Sequence, residues 1–162
     1  MMMLARLKWL LIATLLTGQA LLGMPSAVSA QAIGPRDGAS RLAGITISVG
    51  EKVIRAHLFD TPTSRDLLAQ LPATIPMSRL REREYYGRPL GPLSTEGRRR
   101  EGFDNGDIGY TARSGYLAVF FDNSKDPDIS DLIVIGKVTS DISDFNGLGQ
   151  SVNMKIERSK AD

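Results

Sequence analysis

The 162-residue chain contains no cysteine, which excludes disulfides, thiol catalysis and cysteine-ligated metal. Its formal charge of +2 arises from 20 lysines and arginines against 18 acids. Arg6 and Lys8 both fall in the first thirty residues, where there is no acid, so the remainder is electrically balanced and has no basic surplus for nucleic acid.

Those thirty residues have the order of a secretory signal peptide. Arg6 and Lys8 start it, the apolar run Trp9 to Gly23 follows, and Met24-Pro25-Ser26 ends the run. Val28-Ser29-Ala30 then puts small residues at a cleavage site. An uncleaved anchor is the alternative, but the run is about 15 residues, short of the roughly 20 that span a bilayer. The expectation is an exported protein, periplasmic or secreted, that begins at Gln31 and has no stable membrane insertion once residues 1–30 are removed. About 130 residues remain, one domain's worth of chain with one apolar core.

Residues 31–43 are rich in Gly, Ala, Pro and Ser and predict a flexible lead-in, with the folded domain at 44–158. Ile45 to Val49 alternates apolar and polar, the mark of a half-buried strand. Gly50-Glu51 turns the chain into a second strand, Val53 to Phe59. Asp60-Thr61-Pro62 opens a short helix over about 62–71, since a small polar residue caps free amides and proline suits the first turn. Leu67, Leu68 and Leu71 line its apolar face, and Pro72 ends it. Ala73 to Leu80 predicts a third strand in which Pro76 suggests an edge or a bulge.

Arg81 to Asn105 is the least regular stretch. It mixes Arg81, Arg83, Arg88 and Arg98-Arg99-Arg100 with Glu82, Glu84, Glu96 and Glu101, and predicts a solvated mixed-charge loop with a short strand at Tyr85-Tyr86. Ile108–Ala112 and Tyr116–Phe121 then form a hairpin around Ser114-Gly115, with Gly115 expected at positive φ. Asp122 to Asp131 carries four aspartates in ten residues, but Pro127 and Ile133 occupy the positions where an EF-hand loop needs glycine and glutamate. An acidic turn is the better reading. Leu132 to Val138 is continuously apolar but for Gly136-Lys137 and predicts a strand buried on both faces. Asp141 to Phe145 predicts one helical turn, and Val152 to Ile156 a last strand. Seven or eight strands without βαβ alternation predict a mainly β fold: a small closed antiparallel β-barrel with one or two capping helices.

Gly106-Asp-Ile-Gly-Tyr110, Ala118-Val-Phe-Phe121, Ile135-Gly-Lys-Val138, the Thr61-Pro-Thr-Ser-Arg-Asp-Leu-Leu68 helix and Met77-Ser78, in this order, resemble the bacterial cyclophilin-like domain family. The resemblance covers about Ile45 to Ile156. It implies the cyclophilin-type β-barrel and brings no assigned reaction with it. Cyclophilins proper are prolyl isomerases, and similarity to them implies a pocket beside the strand Leu117–Phe121. This chain departs from their pattern there. The strand lacks the glutamine of their Gln-x-Phe element. Leu132 stands in the pocket histidine's place, Pro127 falls near that of the tryptophan, and no Phe-His-Arg occurs. Arg79 is the candidate substitute for the missing arginine. His57, the only histidine, lies mid-strand and is read as structural.

Three functions compete. A non-enzymatic module binding a small molecule or peptide would use Arg79, Tyr85, Tyr86, Phe103, Tyr110 and Phe120, although the same aromatics also suit a core. A divergent peptidyl-prolyl cis-trans isomerase is the alternative. A hydrolase is the weakest reading, because neither Gly-x-Ser-x-Gly nor His-Glu-x-x-His occurs. No catalytic residue, metal ligand or cofactor is assigned.

Overall fold

Each alternating run of the sequence forms a strand in the computed structural model, which describes residues 40–160. The strands are β1 (Arg41–Val49), β2 (Lys52–Phe59), β3 (Ala73–Leu80), β4 (Glu84–Gly87), β5 (Asp107–Thr111), β6 (Tyr116–Phe120), β7 (Leu132–Val138) and β8 (Ser151–Arg158). Helix α1 (Pro62–Ala69) follows β2, and a 3₁₀ turn, Ile142–Phe145, precedes β8. The strands pair antiparallel into a closed barrel in the order β1, β2, β7, β5, β6, β4, β3, β8. Closure leaves no edge strand, which removes the need for edge protection. The expected signal peptide lies outside the described residues.

Several boundaries move. β1 begins at Arg41, not after residue 43, because Arg41 pairs with Phe59 before a register shift at Ala43. α1 ends at Ala69 and not at 71, with Gln70 as its C-cap. β8 runs from 151 to 158 because both β1 and β3 pair with it. Pro76 needs neither edge nor bulge. It sits in regular register opposite Asn153, while β4 pairs only with Ser78–Leu80, so just one side of β3 carries a ladder at the proline.

Alternate residues point into the barrel. Ile45, Ile47, Ile54, Leu58, Ile75, Met77, Leu117, Val119, Ile135 and Met154 belong to this inner core. α1 closes one end. Thr61 Oγ1 accepts the Ser64 N–H at 3.1 Å, capping the helix, and the Ser64 hydroxyl donates to the Ile135 carbonyl at 2.9 Å. The 3₁₀ turn closes the other end with Phe145, whose ring stacks on Phe121 at 5.7 Å.

A second cluster lies outside the barrel wall: Phe59, Phe103, Ala118, Phe120, Leu132 and Val134. Phe103 stacks on Phe120 at 4.2 Å. This outer layer explains the continuous apolar run of β7, which is buried on both faces. It also corrects the reading of residues 81–105 as merely solvated. Leu93 and Phe103 are buried within that stretch, and the Arg83 side chain is 12% exposed.

The glycine motifs serve this double layer. A Cβ on Gly109 would lie 2.5 Å from Leu132 Cδ1, so only glycine lets Leu132 pack flat on β5. Asp107 and Lys137 face each other across β5 and β7, with Nζ 2.8 Å from Oδ1. Asp107 Oδ2 also accepts the Asp104 N–H at 2.8 Å, tying down the loop that delivers Phe103. Gly115 has φ of 71°, and Gly106 has φ of 88°, the left-handed region that glycine tolerates.

Candidate functional site

The outer layer does not close completely. A cleft of about 360 Å³ opens beside it, lined by Leu80, Glu84, Tyr86, Tyr116, Ala118 and Ile129, with Thr111, Arg113, Ser114 and Asp131 at its rim. Its volume falls in the range of small-molecule sites, roughly 300–1,000 Å³. Strand geometry builds it. In β4 the outward parity falls on Glu84 and Tyr86, opposite Phe120 and Ala118 of β6. Tyr86 and Tyr116 meet edge to face at 5.3 Å, and the Arg88 guanidinium lies 4.4 Å from the Tyr116 ring. Ile129 to Asp131 supplies the opposite wall. Asp131 reaches this position through a left-handed φ of 63°.

Most of the cleft is apolar, and Glu84 is its buried charge. The residue is 5% exposed. Its Oε2 lies 3.1 Å from Arg83 Nε, but the N–H is not aligned with it, so neither atom completes a hydrogen bond. Burial pushes the Glu84 carboxyl above the usual range, the Arg83 charge opposes that rise, and Asp126 adds to it. Asp131 is differently placed: Oδ2 accepts the Arg113 backbone N–H at 2.8 Å, and Oδ1 pairs with Arg99 at 3.1 Å.

Of the six expected binding residues, only Tyr86 lines this cleft. Tyr85 and Phe120 are fully buried, and Phe103 and Tyr110 nearly so. They hold the barrel together and are not open to a ligand there. The tyrosine pair splits because neighbouring strand residues face opposite sides: Tyr85 enters the inner core while Tyr86 faces out. Arg79 shares the inward parity of Ile75 and Met77. Its guanidinium packs 4.8 Å from the Phe121 ring, donates to Tyr85 Oη at 3.2 Å and pairs with Glu82. Burial works against its charge, but the bonds to Tyr85 and Glu82 outweigh that and hold its pKa up. Arg79 therefore braces the 3₁₀ end of the barrel and does not reach the cleft.

Sequence reasoning missed Glu84, Tyr116 and Ile129. The available signal was the period of two: once Tyr86 faces out, Glu84 must share its side. Leu132, in the place of the pocket histidine, is fully buried against Gly109 and Phe120 and offers the cleft no polar wall. His57 is partly buried on β2, with its ring 5.1 Å from Phe59. Burial, Arg41 and Lys137 all lower its pKa, which favours the neutral ring. The acidic stretch is engaged by partners: Asp126 pairs with Arg81 and Arg83, and Asp122 accepts the Ser124 N–H. Among the described residues no group of three or more His, Cys, Asp or Glu side chains can hold a metal ion, and no helix is long and apolar enough to cross a membrane.

Comparison with known proteins agrees with this architecture. The family model for the cyclophilin-like family matches residues 47–157. A hypothetical protein of Archaeoglobus fulgidus is similar in structure, with a TM-score of 0.62 at 18% identity, over 77% of this chain and 100% of that one. A cyclophilin-type peptidyl-prolyl cis-trans isomerase of Cryptosporidium parvum gives a TM-score of 0.52 at 12% identity, over 74% of this chain and 99% of that one. At such identities both speak for the fold alone. No curated protein matches the chain. The family match spans more than half of the sequence and coincides with the eight-stranded closed barrel, so the chain belongs to the cyclophilin-like family.

Proposed function

We propose that this protein is a non-enzymatic binding module, exported after cleavage behind Ala30, that holds an apolar small molecule or peptide in the cleft between β4, β6 and the 122–131 loop. The observation that carries this reading is the position of the cleft. It lies beside Ala118, on the strand where resemblance to the isomerases implies their pocket, yet most of its surface is apolar. Prolyl isomerisation depends on a preorganised donor near the prolyl group, and loss of one such donor can cost about 10²–10³ in rate. Leu132 and Ala118 supply no polar hydrogen in place of the histidine and glutamine. Arg79, the candidate substitute, is turned inward onto Phe121.

A coupled proline-peptide assay on the protein beginning at Gln31 tests the reading. The expected outcome is no turnover above the uncatalysed rate. Measurable turnover that survives Arg79→Ala but disappears in Arg113→Ala, or the reverse, would establish the isomerase alternative and name its arginine. Intact-mass measurement on exported protein checks the leader. A mature mass that still includes Trp9 would refute cleavage after Ala30.

A further inference from the structure

Independently of the cleft, we infer a second site on the outer face of β1 and its neighbours β2 and β8, which takes a phosphate monoester group, free or as a lipid headgroup. The groove there has a volume of about 810 Å³, and Arg41, Arg55, Arg158 and Lys160 line it with Glu157 as the one acid among its lining residues. Beyond residue 30 the chain is balanced in charge, so this excess of cations is a local concentration. Glu157 does not cancel it, because its Oε1 is already paired with Lys155 Nζ at 2.9 Å.

Strand register brings these groups together. Thr46 stands opposite Arg55 on one side and Glu157 on the other, so all three share the outward face. Gly44 lies two residues back on that face, and its carbonyl accepts the Ser159 N–H at 2.9 Å. A Cβ on Gly44 would lie 3.2 Å from Arg41 Nη2 and 3.2 Å from Ser159 Oγ. The guanidinium and the hydroxyl therefore flank a floor without a side chain. What holds the arginines is neutral, which leaves their charge available: Arg158 Nη2 donates to the Leu68 carbonyl at the end of α1, at 3.3 Å, and Arg41 lies against Gly44 and Ser159. None of Arg41, Arg55, Arg158 and Lys160 forms an ion pair among the described residues.

These donors fit a phosphate better than a carboxylate. A guanidinium offers two N–H groups to two oxygens at once, and the Thr46 and Ser159 hydroxyls remain for a third. A phosphate monoester carries a charge of about −1.5 to −2 at pH 7, which answers more than one arginine. The volume also leaves room for the group that the phosphate is attached to, since small-molecule sites span roughly 300–1,000 Å³.

The test titrates glycerol 3-phosphate, with glycerol as the uncharged control, against the protein beginning at Gln31 at low ionic strength. Backbone amide shifts at Gly44, Thr46 and Ser159 report the location. In parallel the protein is sedimented with phosphatidylcholine vesicles that contain or lack phosphatidic acid. Arg41→Gln and Arg55→Gln should each weaken binding about tenfold, the worth of a hydrogen bond to a charged group. Arg98→Gln, an equal loss of charge at an exposed residue outside the groove, should leave it unchanged. Glycerol 3-phosphate binding with shifts at those three residues supports the site and a soluble ligand. Capture only by phosphatidic acid vesicles, lost in the Arg41 and Arg55 variants, supports the site and a lipid headgroup. Equal weakening in all three variants would mean unspecific charge attraction and overturns the site. Shifts elsewhere, or no binding to either phosphate probe, overturn it as well, and none of these results bears on the cleft.

Discussion

The barrel wall has two sides that differ in what lies outside them. Along β3 and β8 burial alternates residue by residue, and across on β2 Val53 is 55% exposed. These strands serve a single core. Along β5, β6 and β7 nearly every residue is buried, because Phe103, Phe120, Leu132 and Val134 form a second layer over the wall. The difference shows where function can be placed on such a fold. A bare wall presents separate side chains and backbone already used in ladders. A wall with an added layer has a margin where that layer ends, and the cleft opens at that margin.

The comparison breaks first at Phe120. Its ring is fully buried and stacked on Phe103, so Phe120→Ala should cost about 3–5 kcal/mol in denaturant melts. A variant as stable as wild type would mean that the outer layer adds nothing to the fold. Gly109→Ala probes the same layer from the other direction. The added carbon meets Leu132 Cδ1, and overpacking of this kind costs about 1–3 kcal/mol. Unchanged stability would show that Leu132 can move away freely.

Glu84 sharpens the comparison through pH. Its folded pKa is raised, so between the ordinary glutamate value and the raised one the folded protein holds more protons than the unfolded chain. Its contribution to stability therefore falls as pH rises through that window. Glu84→Gln should remove this fall, so the stability of wild type relative to the variant should improve as pH drops from 7 towards the ordinary glutamate range. A difference between the two that does not change with pH would contradict a strained buried carboxyl. The smallest effect belongs to the bare side. Val53→Lys should change stability by no more than about 0.5 kcal/mol, because Val53 lies in the open on β2. A larger loss would mean that this side is covered too.

Much of the fold was legible because its signals are local. Thr61-Pro62 is a cap, and Thr61 caps α1. Leu132–Val138 is continuously apolar, and β7 is buried on both faces. Gly115 marks a turn and takes positive φ. The candidate site was far less legible. Aromatic identity pointed to Tyr85, Phe103, Tyr110 and Phe120, yet all four are buried, because large apolar surface is drawn into cores whichever layer offers one. Arg79 was the candidate substitute for the isomerases' arginine, but the inward parity of β3 turns it onto Phe121.

By itself the sequence determined the period of each strand, the turns between them, the short capped helix and the motifs of the cyclophilin-like family. These follow from side-chain alternation and from backbone preferences that a residue carries wherever it stands. Only the tertiary structure decided which side of β4 would face out, that Ile129 would lie across from Ala118, and that Glu84 would be buried without an aligned partner. Those facts depend on strands brought together from distant parts of the chain, where barrel closure, not local preference, fixes which side chains meet.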